Sequence, residues 1–201
     1  MIAIVDYDAG NLMSVKKALE FIGEKPVVTR DADTILKADK VILPGVGAFG
    51  DCMDKLNSYE LTGVLRETAQ SGKPFLGICL GLQLMFDRSD ESKGVPGLSI
   101  LEGDICAIPN DGVHKIPHMG WNSLHFPKES RLFAGIPEGA YVYFVHSYYL
   151  KAADQNIVAA ETDYVTHIHA AVEKDNIFAC QFHPEKSGDV GLAILKNFVM
   201  L

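Results

Sequence analysis

The sequence predicts an α/β protein: a single domain with a mostly parallel central sheet flanked by helices, and an antiparallel, strand-rich second half. Three observations lead there. Short apolar runs alternate with helically spaced segments through the first ninety or so residues. From Gly94 the texture changes to strand-like runs joined by turn signals. No stretch rich in Pro, Gly or Ser divides the 201 residues, so residues 1–201 read as one domain.

The first strand is the apolar run 2–5, followed by the turn-rich loop Asp6-Tyr-Asp-Ala-Gly-Asn11. Asn11 is a candidate cap for a helix whose apolar positions are Leu12, Val15, Leu19 and Ile22, and Gly23 is its expected stop. Val27 and Val28 form a second strand. Residues 41–43 form a third, ending at Pro44-Gly-Val-Gly47. Helical spacing returns over 49–56 and 61–70, closed by Ser71-Gly72. Residues 74–78 make a buried strand, and Leu82, Met85 and Phe86 lie at helical spacing beyond it. Strands are then expected over 98–108, 121–126, 141–150, 157–161, 167–173 and 177–182. Many should be antiparallel, given joins such as Asn110-Asp-Gly and Lys174-Asp-Asn. A last helix fits 190–200, with Leu192, Leu195, Phe198 and Val199 on one side.

Composition narrows the function classes. Apolar residues make up 48% of the chain, enough for a sizeable core. A net charge of -8 argues against a nucleic-acid or anionic-membrane surface. No run approaches the length of a membrane span, and Asp6 interrupts the N-terminal apolar run, which reads as a strand rather than a signal peptide. Cysteines 52, 79, 106 and 180 are scattered with no C-x-x-C pair, which suits a reducing cytoplasm and argues against a disulfide framework or structural zinc.

Ligands of parallel sheets bind outside the carboxyl ends of the strands. The loops at residues 8–11, at 44–47 and after residue 78 should therefore be neighbours. The last carries Gly77-Ile-Cys-Leu-Gly81, the layout of a nucleophile elbow with sulfur in place of a serine oxygen. Cys79 is a candidate nucleophile there, because free N–H groups at a helix start favour a thiolate; it also fits a small buried hydrophobe. A thiol nucleophile needs a base, usually histidine, and an orienting carboxylate. Of seven histidines, His183 stands out: it ends a strand and precedes Pro184 and Glu185. An extended chain would put His183 and Glu185 on one side, although a strand end with a surface charge has the same pattern. Oxyanion donors are expected from the amide of Leu80 and from the 44–47 loop, at Val46 or Gly47. His167-Ile-His169 could face a metal, but no third ligand is in view, and no metal or other cofactor is expected. No G-x-G-x-x-G or P-loop pattern occurs.

With Gly77-Ile-Cys-Leu-Gly-Leu-Gln83 and His183-Pro-Glu185 together, the chain resembles the class I glutamine amidotransferases, a flavodoxin-like fold. Within them it is most similar to the glutaminase subunits of imidazole glycerol phosphate synthases. That likeness rests on Asp6-Tyr-Asp-Ala-Gly-Asn-Leu12, Pro44-Gly-Val-Gly-Ala-Phe-Gly50, Pro117-His-Met-Gly-Trp-Asn122, Tyr143-Phe-Val-His-Ser-Tyr148 and Gln181-Phe-His-Pro-Glu-Lys-Ser187. It departs at Asp8-Ala9, where the family more often has glycine first.

The resemblance implies Cys79 as nucleophile, His183 as base and acid, and Glu185 as orienter. It implies that Gln83 and Glu91 contact the amino-acid end of L-glutamine, that Ser147 and Tyr148 contact its carboxylate through their backbone, and that Gly45, Val46 and Gly47 belong to the oxyanion loop. Asn11, His118, Met119, Trp121, Tyr143 and Lys186 match positions expected near a partner and the ammonia exit. That partner is the barrel-shaped cyclase subunit in a heterodimer. It turns ammonia and a ribulosyl phosphate into imidazole glycerol phosphate, for histidine synthesis, and an aminoimidazole carboxamide ribotide. The resemblance further implies weak glutaminase activity until the partner holds its ligand. Rival readings are a glutaminase serving another synthase such as one making anthranilate, a stand-alone thiol hydrolase of gamma-glutamyl compounds, and a non-catalytic domain with a relict elbow.

Overall fold

A computed structural model describes residues 1–201. In chain order the elements are β1 (Ile2–Val5), α1 (Leu12–Phe21), β2 (Val27–Thr29), α2 (Ala32–Lys37), β3 (Lys40–Gly45), α3 (Phe49–Ser58), α4 (Leu61–Gln70), β4 (Phe75–Cys79) and α5 (Leu80–Leu84). Then come β5 (Arg88–Ser89), β6 (Gly103–Ala107), β7 (His118–Ser123), β8 (Tyr141–His146), β9 (Tyr148–Ala152), β10 (Val158–Tyr164), β11 (Thr166–Lys174), β12 (Ile177–Cys180) and α6 (Gly188–Met200).

Seven strands form the main sheet in the order β10-β11-β12-β4-β3-β1-β2. The five from β12 to β2 are parallel, and β10 and β11 extend the sheet antiparallel from β12. Its central strands β1, β3, β4 and β12 are apolar on both faces, as a covered parallel sheet requires. Ala3, Val5, Val41, Leu43 and Phe75 face a layer containing α2, α3, α4 and α5. Ile2, Ile4, Ile42, Leu76 and Ile78 face the layer of α1 and α6. A fully buried side chain of this size contributes about 1.5–3 kcal/mol, so the two layers account for why β4 and β3 sit centrally. A three-stranded sheet, β5-β6-β9, and the ribbon β7-β8 complete the second half.

Several expectations need correction. The run 141–150 is not one strand: β8 pairs with β7 and β9 with β6, and the chain changes sheets at Ser147. Residues 98–102 are irregular, and only Gly103–Ala107 pairs as β6. Asn11 sits at the N-cap of α1 but its side chain accepts no cap bond; its carbonyl takes Ser14 and Val15 N–H instead. Gly23 does stop α1: its N–H donates to the Glu20 carbonyl and Glu24 N–H to that of Leu19, the paired closure of a Schellman end. Helix α2 was not expected; Asp31 caps it through Thr34 N–H at 2.8 Å, and Ile35 alone is buried. On α6 the buried face is Gly191, Ile194, Leu195 and Phe198, with Leu192 and Val199 half-buried.

Candidate active site

The carboxyl ends of β3, β4 and β12 converge on one point. At the end of β4 the backbone turns directly into α5 at Cys79, with φ 56° and ψ −112°. A non-glycine residue there costs on the order of 1–3 kcal/mol. The turn closes only because its flanks lack Cβ atoms. One on Gly81 would stand 1.8 Å from the Leu43 carbonyl oxygen, and one on Gly77 would stand 2.9 Å from the Gly81 backbone.

Strand β12 lies beside β4 with Cys180 opposite Ile78, so the chain beyond it arrives next to the elbow. His183 N–H donates to the Tyr143 carbonyl at 2.9 Å. Pro184 then opens a one-turn 3-10 helix, Pro184–Lys186, which swings Glu185 back onto the imidazole. The carboxylate Oε1 accepts from His183 Nδ1 at 2.8 Å, with both side chains almost fully buried. A carboxylate can only accept, so Nδ1 carries a proton and Nε2 is left for chemistry; it has no hydrogen-bond partner within the protein.

Burial alone would lower the His183 pKa, but the Cys79 and Glu185 side chains both favour the charged ring and raise it to about 10. Folded His183 therefore holds a proton that the unfolded chain releases near pH 6.5. Its contribution to stability is complete below that pH and is lost as pH rises to about 10. Removing the sulfur removes one of the raising partners. Urea unfolding at pH 6 and pH 10 should thus show a smaller stability loss for Cys79→Ala than for the wild type; equal losses would contradict the coupling.

Cys79 and His183 open together on a cavity of about 400 Å³. Among the expected residues, Val46, Gly47, Leu80, Gln83, Glu91, Ser147 and Tyr148 all line it. The Val46 and Gly47 amides donate to no protein acceptor. Glu91 is pinned by Phe49 N–H at 2.8 Å to one carboxylate oxygen. Gly45 is a correction: it does not line the cavity, and it is packed so closely that a Cβ would stand 2.7 Å from Tyr7 Oη and 2.8 Å from Gly81 N.

Of the expected interface residues, Met119 and Trp121 are 63% and 54% exposed. Lys186 lies over the Tyr143 ring, which meets Trp121 edge-on, and Asn11 is half-exposed. His118 differs from them in being 4% exposed, stacked on Tyr164 and Phe144 behind that surface.

Three residues at the site had no assigned role. Gln181 Nε2 donates to Cys79 Sγ at 3.8 Å. His146 lines the cavity. Tyr7, fully buried, donates from Oη to the Pro44 carbonyl at 2.8 Å and so holds the glycine loop. All three lie in stretches quoted above, but nothing in a single sequence says which side of the chain they present. Away from the site, Glu161 supplies the third group that His167 and His169 lacked, with candidate ligand atoms within 4.8 Å. Those groups are already engaged: His167 pairs with Glu161 and Asp163, and His169 Nδ1 accepts from Ala152 N–H.

The family model described as glutamine amidotransferase class-I matches residues 3–201. The chain is 50% identical over 198 residues to "Imidazole glycerol phosphate synthase subunit HisH" of Bacillus cereus (strain G9842), spanning 98% of this chain and 93% of that one. It is 49% identical over 203 residues to the protein of that name from Syntrophotalea carbinolica, covering 98% of each. Among solved structures, a glutamine amidotransferase superposes with TM-score 0.76 at 17% identity, over 99% of this chain and 100% of the other. PurLQS from Thermotoga maritima gives 0.74 at 20% identity, over 99% and 97%. At that identity the two structures speak for the fold alone.

Proposed function

The chain belongs to the class I glutamine amidotransferases, and from that premise we propose that it hydrolyses L-glutamine and passes the ammonia to the cyclase subunit of an imidazole glycerol phosphate synthase. The observation that carries the chemistry is the buried Glu185–His183 pair, whose ring, with Nε2 unpaired, lines the same cavity as the strained Cys79. Residues 1–201 act as one amidotransferase domain.

The Cys79 thiolate attacks the side-chain amide carbon. Negative charge develops on the amide oxygen, and the Leu80 amide and one of the unpaired Val46 and Gly47 amides are the donors within reach of it. His183 Nε2 gives its proton to the leaving nitrogen, ammonia departs and a glutamyl thioester remains. Water then attacks the thioester carbonyl while Nε2 takes its proton, and glutamate leaves with the thiolate restored. Glu185 keeps the ring oriented throughout. Gln83 has spent both amide N–H groups, on the Tyr148 carbonyl at 3.1 Å and Gln181 Oε1 at 3.0 Å. Only its Oε1 remains, an acceptor suited to the substrate ammonium.

The relatives are named as subunits, which implies a complex with the cyclase. A heterodimer follows, its barrel docked over Met119, Trp121, Tyr143, Lys186 and Asn11 so that ammonia crosses without meeting bulk water. No helix is long and apolar enough to cross a membrane, and the assignment puts the enzyme in the cytoplasm. The test is a glutamine hydrolysis assay with and without the cyclase and its ribulosyl phosphate ligand. Turnover should rise at least about tenfold in the complex, a coupling of roughly 1.4 kcal/mol. Full activity of the chain alone would instead favour a stand-alone hydrolase.

A further inference from the structure

Two buried histidines take no part in the chemistry above: His146 lines the cavity and His118 packs behind it. His118 on β7 and His146 on β8 are direct cross-strand partners. His118 Nδ1 lies 3.0 Å from His146 Nε2, and His146 Nδ1 lies 2.8 Å from the Tyr148 carbonyl oxygen.

The protons on this pair follow from the end of the chain. A carbonyl only accepts, so His146 Nδ1 donates to Tyr148. Burial pushes both pKa values down to about 4, so at neutral pH each ring carries one proton. His146 Nε2 must then accept, and His118 Nδ1 must donate. His118 is in turn clamped flat between Tyr164 at 3.9 Å and Phe144 at 4.9 Å. Every donor and acceptor between the two rings and the carbonyl is thereby specified.

The Tyr148 carbonyl is shared. It also accepts from Gln83 Nε2, whose second N–H goes to Gln181, and Gln181 donates to the Cys79 sulfur. The relay starts one residue from the exposed Met119 and ends at the sulfur. We infer that His118 and His146 are positioning residues, which hold the Tyr148 carbonyl and through it the Gln83 amide, and so set the affinity for the amino-acid end of glutamine. This rests on the glutaminase reading; neither ring reaches the reacting atoms.

The test uses the full chain in complex with the cyclase. His118→Phe keeps a flat ring in the stack and deletes the donor. KM for glutamine should rise about tenfold, the loss expected for one net hydrogen bond, with kcat within about twofold of the wild type. His118→Gln, which keeps an N–H donor, should bring KM back to within about threefold. Ring-15N NMR of the free chain should show His146 as the Nδ1–H tautomer, and thermal unfolding should confirm that both variants fold. An unchanged KM in folded His118→Phe, a fall in kcat with KM unmoved, no recovery in His118→Gln, or a His146 proton on Nε2 would each overturn the assignment. A wild-type complex that does not turn over glutamine would sink the glutaminase reading instead, while the tautomer measurement would still stand.

Discussion

Replacing Cys79 by alanine lowers glutamine hydrolysis by at least about 10⁴-fold, the scale seen when a hydrolase loses its nucleophile. Product formation by the complex from added ammonium salts continues, since the ammonia-using step lies on the cyclase. The backbone supplies a second, less usual expectation. At φ 56° and ψ −112° an alanine is as strained as the cysteine, whereas glycine is not. Relief of on the order of 1–3 kcal/mol outweighs the roughly 0.5–1 kcal/mol that glycine normally costs in chain entropy. Cys79→Gly should therefore be equally inactive yet more stable than Cys79→Ala by about 1 kcal/mol in urea unfolding. Residual glutamine turnover in either variant would reject Cys79 as nucleophile. A glycine variant less stable than the alanine one would mean that the elbow stores no strain.

The elbow was legible because its geometry is local. The His183–Glu185 pairing was legible as a candidate, but the extended chain expected there is a one-turn 3-10 helix, because Pro184 opens a turn. Two glycines around one cysteine dictate a tight strand-to-helix turn, and a proline between histidine and carboxylate restricts how they can meet. Continuous apolar runs likewise marked β1, β3 and β4 as buried on both faces, and the strand-to-helix order placed their carboxyl ends together. What was not legible depends on pairing between distant segments. The run 141–150 is continuously strand-forming, with no Gly or Pro to mark Ser147; the break comes from β8 and β9 joining different sheets. The resemblance placed His118 with Met119 and Trp121 near the partner and the ammonia exit, but a motif match does not say which way a side chain faces, and alternation along β7 turns it inward onto His146. Helix α2 is too short for periodicity to show, and its Asp31 cap is its one strong signal. Gln181 was visible as a residue but not as a neighbour of sulfur, because nothing local says which way the chain faces after β12 leaves the sheet.

Alanine at Gly191 has the other large expected effect, although the residue belongs to helix α6 and not to the cavity wall. An ideal Cβ there would sit 1.9 Å from the Pro184 carbonyl oxygen and 2.8 Å from Ser187 Cβ. Backbone carbonyls do not yield as flexible side chains do. The Pro184–Lys186 turn must therefore move by about 1 Å, a displacement that can cost roughly 10²-fold in rate when it falls on catalytic geometry. Glu185 sits on that turn, and its hold on His183 Nδ1 at 2.8 Å is the contact that would be lost. The Ser187 hydroxyl, which donates to the His183 carbonyl at 2.6 Å, shifts with it. Gly191→Ala should lower glutamine turnover about 10²-fold and cost about 1–3 kcal/mol of stability through overpacking. Gly63→Ala is the matched control: it is also helical, but its Cβ meets nothing within 4 Å. It should gain roughly 0.4–1 kcal/mol with activity unchanged. A Gly191→Ala protein that is stable and fully active would show that His183 and Glu185 are not held in register by the packing of this turn against α6.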